Sequence, residues 1–259
     1  MSDLNNNPAA RYGGAVRTGA EIDQGLRSYM LGVYNYMTIG LAITGLFALG
    51  IYMLSISNVS VPGAILLKQG VYMTSFGQTL FLTPLKYVVM FAPLALVFFL
   101  GFRIEKMSAG AAQLTFWIYA ALVGVSLATI LMVFTPTSIA RAFFISAASF
   151  GALSLYGYTT KRDLSQMATF LVMGLIGVII ASIVNIWLAS SMLQWIVSIA
   201  GLLVFAGFTA YDTQDIKNMY DANDDSTAAG RKSIMGALRL YLDFLNIFLF
   251  LLQIIGNRE

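Results

Sequence analysis

From Ser28 onward the chain alternates long apolar runs with short polar breaks. Seven runs stand out, at 28–54, 84–102, 114–134, 139–159, 168–189, 192–212 and 233–255. Each is close to, or somewhat above, the ~20 residues that an α-helix needs to cross the hydrocarbon core of a bilayer. The pattern predicts an all-α membrane protein, a seven-transmembrane-helix bundle over residues 28–256. The breaks carry turn chemistry: Thr135-Pro136-Thr137-Ser138 between spans three and four, Lys161-Arg162-Asp163 between four and five, and Ser190-Ser191 between five and six. The longest connection, 55–83, mixes Pro62-Gly63 and Thr83-Pro84 with the apolar "AILLKQGVYM" and is expected to dip into the interface. Residues 1–27 are polar, rich in Asn, Gly and Ala, and lack the apolar centre of a signal peptide. They read as a flexible cytoplasmic tail. A short helix over "AEIDQGLRSYM" is expected before the first span, with Thr18 as cap and Glu21 at capping-box spacing.

Composition agrees with this pattern. Of 259 residues, 58% are hydrophobic and 10% charged, and mean hydropathy is +0.77; soluble domains carry roughly 25% charged residues. The chain has neither cysteine nor histidine. Disulfides, thiol or imidazole catalysis and Cys/His metal sites are therefore excluded. No nucleophile–base pair is visible, so an enzyme is not expected, nor a tightly bound cofactor or a nucleic-acid partner. Lys and Arg are unevenly placed. Arg11, Arg17, Arg27, Arg103, Lys106, Lys161, Arg162, Lys217, Arg231 and Lys232 fall on the N-terminal side, against Lys68, Lys86, Arg141 and Arg258 on the other. The positive-inside rule then puts the N-terminus in the cytoplasm, most simply of a bacterial inner membrane.

The candidate chemistry lies in the last two spans. "GFTAYDTQDIK" places Asp212 and Asp215 where span six leaves the hydrocarbon, and Asp243 interrupts "LYLDFLNIFLFLL" in span seven. An ionised Asp at the centre of a membrane helix costs ~2.5–3.5 kcal/mol, and such residues usually face the bundle interior or a wet cavity. Arg239, Asp243, Asn246 and Gln253 follow spacings of 4, 3 and 7, one face of a helix. This polar stripe predicts that span seven sits inside the bundle, facing a cavity or pore. Asp212 and Asp243 reach similar depths, and span two brings Arg103 to the same level. Two close carboxylates share protons and titrate as a unit, which describes a proton-sensitive latch. A structural alternative pairs Arg239 with Asp243 at i, i+4 as a staple of a buried helix.

Other features read as packing. Ala120-xxx-Gly124 and Ala147-xxx-Gly151 are small-xxx-small faces, and Asn185 is expected to hydrogen-bond across helices. In "DANDDSTAAGRK", Asp221, Asn223 and Asp225 fit the first positions of an EF-hand. Ser226 and Lys232 stand where its Gly and Glu belong, which argues for an acidic surface loop.

"FAGFTAYDTQDIK" and "LRLYLDFLNIFLFLLQIIG", supported by "SIARAFFISAASFGALSLYGYTTKRDLS", resemble the Bax inhibitor-1 family over about residues 28 to 256. The resemblance implies a seven-helix bundle with the last helix central. It implies a calcium leak gated by pH through an aspartate pair, which maps to Asp212 and Asp243 and makes both candidate calcium contacts. An arginine of the second span that engages the first aspartate maps to Arg103, with Lys106 as the alternative. Calcium, a hard ion that takes carboxylates and carbonyls, is then the expected permeant ion, and protons the regulator. Two other readings stand beside this channel: a regulatory protein binding a membrane protease or other membrane partner, and a proton-coupled cation antiporter.

Overall fold

The computed structural model describes residues 19–258 apart from 61 and 69. The elements run α1 (Gly19–Ser55), β1 (Ile56–Ser57), β2 (Ile65–Lys68), β3 (Val71–Met73), α2 (Ser75–Phe81), α3 (Leu85–Arg103), α4 (Ala109–Val133), α5 (Pro136–Thr159), α6 (Ser165–Leu188), α7 (Ser191–Asn218) and α8 (Ser226–Ile255). All the helices except α2 are long and apolar enough to cross a membrane, giving seven candidate spans.

The polar breaks fold as caps. Ser108, Thr135, Ser190 and Asp225 stand before α4, α5, α7 and α8, and their side-chain oxygens accept the N–H of Ala111, Ser138, Leu193 and Ala228. Each satisfies one of the orphan donors of a first helical turn. Pro136 occupies the first turn of α5, where a missing N–H costs nothing. The tight turn after α6 places Ala189 in the left-handed region, at φ 47°. Asn185 secures that turn, its Oδ1 accepting Ser190 N–H at 3.0 Å. The cross-helix bond expected of Asn185 is thus replaced by a local one.

The helices outrun the apolar stretches. α1 begins at Gly19, so the helix expected over 20–30 is present but continuous with the first span, and 19–27 form its first turns rather than part of a tail; positions 1–18, including Thr18, lie outside the described residues. α7 continues to Asn218 and α8 starts at Ser226, which shrinks the connection between them to 219–225. Hydropathy marks the hydrocarbon limits, whereas a helix runs on until its backbone meets a cap. Segment 55–83 folds as a three-stranded antiparallel sheet in the order β1-β3-β2, followed by α2. Gly70, at φ +75°, makes the β2–β3 turn. Strands of two to four residues are too short to leave an alternating signal.

α8 is the central helix. Half of its apolar window is buried in the protein, against 11–33% for the other spans. It packs on α1, α4, α5 and α7. Tyr241, fully buried, pins it: its hydroxyl lies 2.6 Å from Thr44 Oγ1 of α1, and its ring meets Phe116 and Tyr119 of α4 edge-on. On the α5 side, Phe244 meets Phe143 and Phe150 in the same way.

Of the two small-residue faces, one is a helix contact. A Cβ on Gly124 would come 2.5 Å from the Thr44 carbonyl oxygen and 2.8 Å from Phe47 Cβ, so α1 and α4 touch there. Ala147 and Gly151 are exposed, and a Cβ on Gly151 would meet open space. That motif therefore does not pack a helix; spacing alone does not tell an inward face from an outward one.

Candidate functional site

The site is built where α7 and α8 converge at the end that also carries the start of α1, the end of α3 and the α5–α6 connection. Several bonds gather these elements. Gln214 of α7 spans the α5–α6 connection, accepting from Leu164 N–H and donating to the Arg162 carbonyl, each at 2.8 Å. Lys217 donates to the Tyr158 carbonyl at 2.8 Å, with its ammonium 4.9 Å from the Tyr158 ring centre. Arg231 of α8 donates to the carbonyls of Glu105 and Met107 after α3. Tyr29 and Tyr220 stack α1 on the α7–α8 connection at 5.7 Å. The frame around the acids is thus held by backbone carbonyls, which do not titrate.

Asp243 sits on α8, 3% exposed, and its Oδ2 has no hydrogen-bond partner among the described residues. Asp212, half-buried on α7, lies within its electrostatic reach, as does the Arg239 guanidinium. Arg239 Nη1 donates to Asp215 Oδ2 at 2.6 Å, across from α8 to α7. The cluster is therefore three carboxylates and one guanidinium shared by two helices. Gly236 lets them close: a Cβ there would come 3.0 Å from Ile216 Cγ2.

The predicted residues divide. Asp212 and Asp243 come within electrostatic range of each other. Arg103 is not with them; it ends α3, exposed, with no ion pair among the described residues, and neighbouring Lys106 is likewise exposed. Arg239 supplies the positive charge instead, so neither second-span cation occupies the expected place. Nor does Arg239 form the i, i+4 staple with Asp243, because its guanidinium reaches the adjacent helix. The polar stripe of α8 faces α7. Besides the Arg239–Asp215 pair, Gln253 accepts from Ser198 Oγ of α7 at 2.9 Å, while Asn246 donates to the Leu242 carbonyl of its own helix at 2.8 Å. The stripe is a seam between two helices, hydrogen-bonded at both ends. Sequence reasoning did not assign Asp215. Its signal was present, since Asp212 and Asp215 at i, i+3 share a helix face.

Two further features adjoin the cluster. A cavity of about 470 Å³ reaches Arg239 from the end of the bundle, lined by Glu105, Arg231, Lys232 and Met235 among others. A chain of hydroxyls crosses three helices: Tyr34 Oη to Ser154 Oγ at 2.5 Å, then Ser154 Oγ to Thr213 Oγ1 at 2.9 Å, beside Asp212 in sequence. The acidic α7–α8 loop is committed to local structure. Asp221 accepts Asn223 N–H, Asp225 caps α8, and Asp224 pairs with Lys232 at 2.6 Å.

Comparison with known proteins finds relatives along nearly the whole chain. Over 237 residues the chain is 44% identical to Inner membrane protein YbhL of Escherichia coli K12, covering 91% of this chain and 94% of that one. It is 47% identical over 239 residues to a protein of Rickettsia prowazekii, covering 92% of each. A protein of Caulobacter vibrioides is 40% identical across the whole of both chains. The model of the family described as Inhibitor of apoptosis-promoting Bax1 matches residues 26–259. The family model over residues 26–259, with relatives 40–47% identical along nearly the whole chain, establishes that this protein belongs to the Bax inhibitor-1 family.

Proposed function

We propose that the protein is a proton-regulated cation leak pathway with calcium as the permeant ion, switched by Asp212 and Asp243 at the cytoplasmic mouth of the bundle. The observation that carries this reading is Asp243: a carboxylate 3% exposed, with an unpartnered oxygen, on the most buried span and in electrostatic range of a second carboxylate. A structural acid would be expected to have its oxygens satisfied. Protonation of the pair removes repulsion between α7 and α8, and ionisation restores it. Asp215, Arg239 and Tyr211 share this field and set the balance. Two carboxylates are too few to hold calcium tightly, since the ion takes 6–8 oxygens; they suit passage rather than storage. The excess of Lys and Arg on the N-terminal side supports a cytoplasmic N-terminus in a bacterial inner membrane.

Calcium flux into proteoliposomes between about pH 6 and 8 tests the proposal, because two close carboxylates share protons and titrate as a unit. Wild-type flux is expected to vary with pH, and flux in Asp212→Asn to be flat. Equal pH profiles in the two would remove the pair from the mechanism. An imposed proton gradient separates a leak from an antiporter, because only the antiporter moves calcium uphill.

A further inference from the structure

A groove of about 510 Å³ opens sideways between α1 and α5, within the range of preformed ligand sites. From Arg27 to Tyr34 on α1 and from Tyr158 to Phe150 on α5, it runs about 10–12 Å along the helix axes at ~1.5 Å per residue. Its walls are Met30, Leu31, Phe150 and Leu155. Gly151 lies on its α5 wall, where a Cβ would meet open space. The exposed Arg27 marks its mouth and has no ion pair among the described residues; Lys161 and Arg162, both exposed, follow directly on α5. One end of the groove is thus cationic and the rest apolar, the inverse of an anionic phospholipid.

We infer that this groove seats one acyl chain of an anionic phospholipid, with Arg27 engaging the phosphate. Basic pockets between membrane helices recognise anionic head groups in this way, and each Lys or Arg near the surface contributes about 1 kcal/mol. Two features argue for a seat rather than ordinary lipid contact. The groove is lined from both α1 and α5, so its occupant would be held between two helices. Its floor is the Tyr34–Ser154 hydroxyl pair, bonded onward to Thr213 of α7, so the walls are held in place. The occupant therefore lies against the chain of hydroxyls that ends at Thr213 of α7. The inference does not depend on the calcium reading.

Native mass spectrometry of the full chain tests it, with phosphatidylglycerol or phosphatidylcholine of matched tails as the probe. Wild type should retain one phosphatidylglycerol in preference to phosphatidylcholine. Gly151→Phe should fill the groove and abolish that retention, while Gly177→Phe, at another position open to space, should keep it. Arg27→Gln should lower the preference for the anionic lipid about fivefold, the equivalent of one surface charge. Equal melting temperatures of the two Phe variants are required for the comparison, and a fold defect is bypassed by Arg27→Gln alone. Equal retention in wild type and Gly151→Phe, or an unchanged preference in Arg27→Gln, would overturn the inference. A lipid-free dimer dissolved by Gly151→Phe would overturn it in favour of a second copy of the chain.

Discussion

At the scale of single residues, the account turns on how each polar group in the α7–α8 seam is satisfied. Arg239 has one carboxylate in hand, Asp215, and two more in range. Arg239→Gln should cost little stability, about 1 kcal/mol or less for a pair this exposed. Its electrostatic effect should be larger. Loss of the positive charge disfavours ionisation of the neighbouring acids, so the pH at which flux changes should move upward in proteoliposomes; an unmoved midpoint would detach Arg239 from the switch. Asp163, outside the spans, gives a contrast. Hydrogen bonds from Ser165 hold its carboxyl below the ordinary range. What it contributes is therefore present above the ordinary carboxylate pKa of ~4 and is lost only on acidification below that. Asp163→Asn should leave any pH response between 6 and 8 intact. Asp212 and Asp243 were legible in the sequence because acids in apolar runs have few bland explanations. Arg103 was placed wrongly because depth along a span says nothing about which way a side chain faces. The Arg239–Asp215 bond joins two helices, a pairing no single-helix period can reveal.

At the scale of elements, close helix contacts and open faces look alike in sequence and behave oppositely. Gly124→Ala would press a methyl against the α1 backbone and should destabilise by about 1–3 kcal/mol. Gly151→Ala meets nothing and should be neutral or stabilising by up to ~1 kcal/mol, the helix-propensity gain over glycine. Melting temperatures in detergent compare the two directly. Seven spans could be read from hydropathy, and the turns at Thr135-Pro136-Thr137-Ser138 and Ser190-Ser191 from their residues, whereas the caps Ser108 and Asp225 came only with the structure. The sheet after α1 could not, since its strands are shorter than the window any periodicity needs. The central position of α8 was legible from its polar stripe, although that stripe proves to be a bonded seam with α7.

At the scale of the whole molecule, orientation and switching are linked: the acid cluster lies at the basic end, so the side facing the cytoplasm decides which pH it senses. The chain has no cysteine, so single cysteines report cleanly. Lys161→Cys, in the α5–α6 connection, should be protected from an impermeant thiol reagent added to intact cells, and Lys86→Cys, at the start of α3, should be labelled; the reverse pattern would invert the orientation. The most direct test of the central claim is calcium flux from pH 6 to 8 in proteoliposomes carrying wild type or Asp243→Asn. The account predicts a pH-dependent flux in the first and a flat profile in the second, with folding retained. A pH response in Asp243→Asn that matches wild type would contradict it.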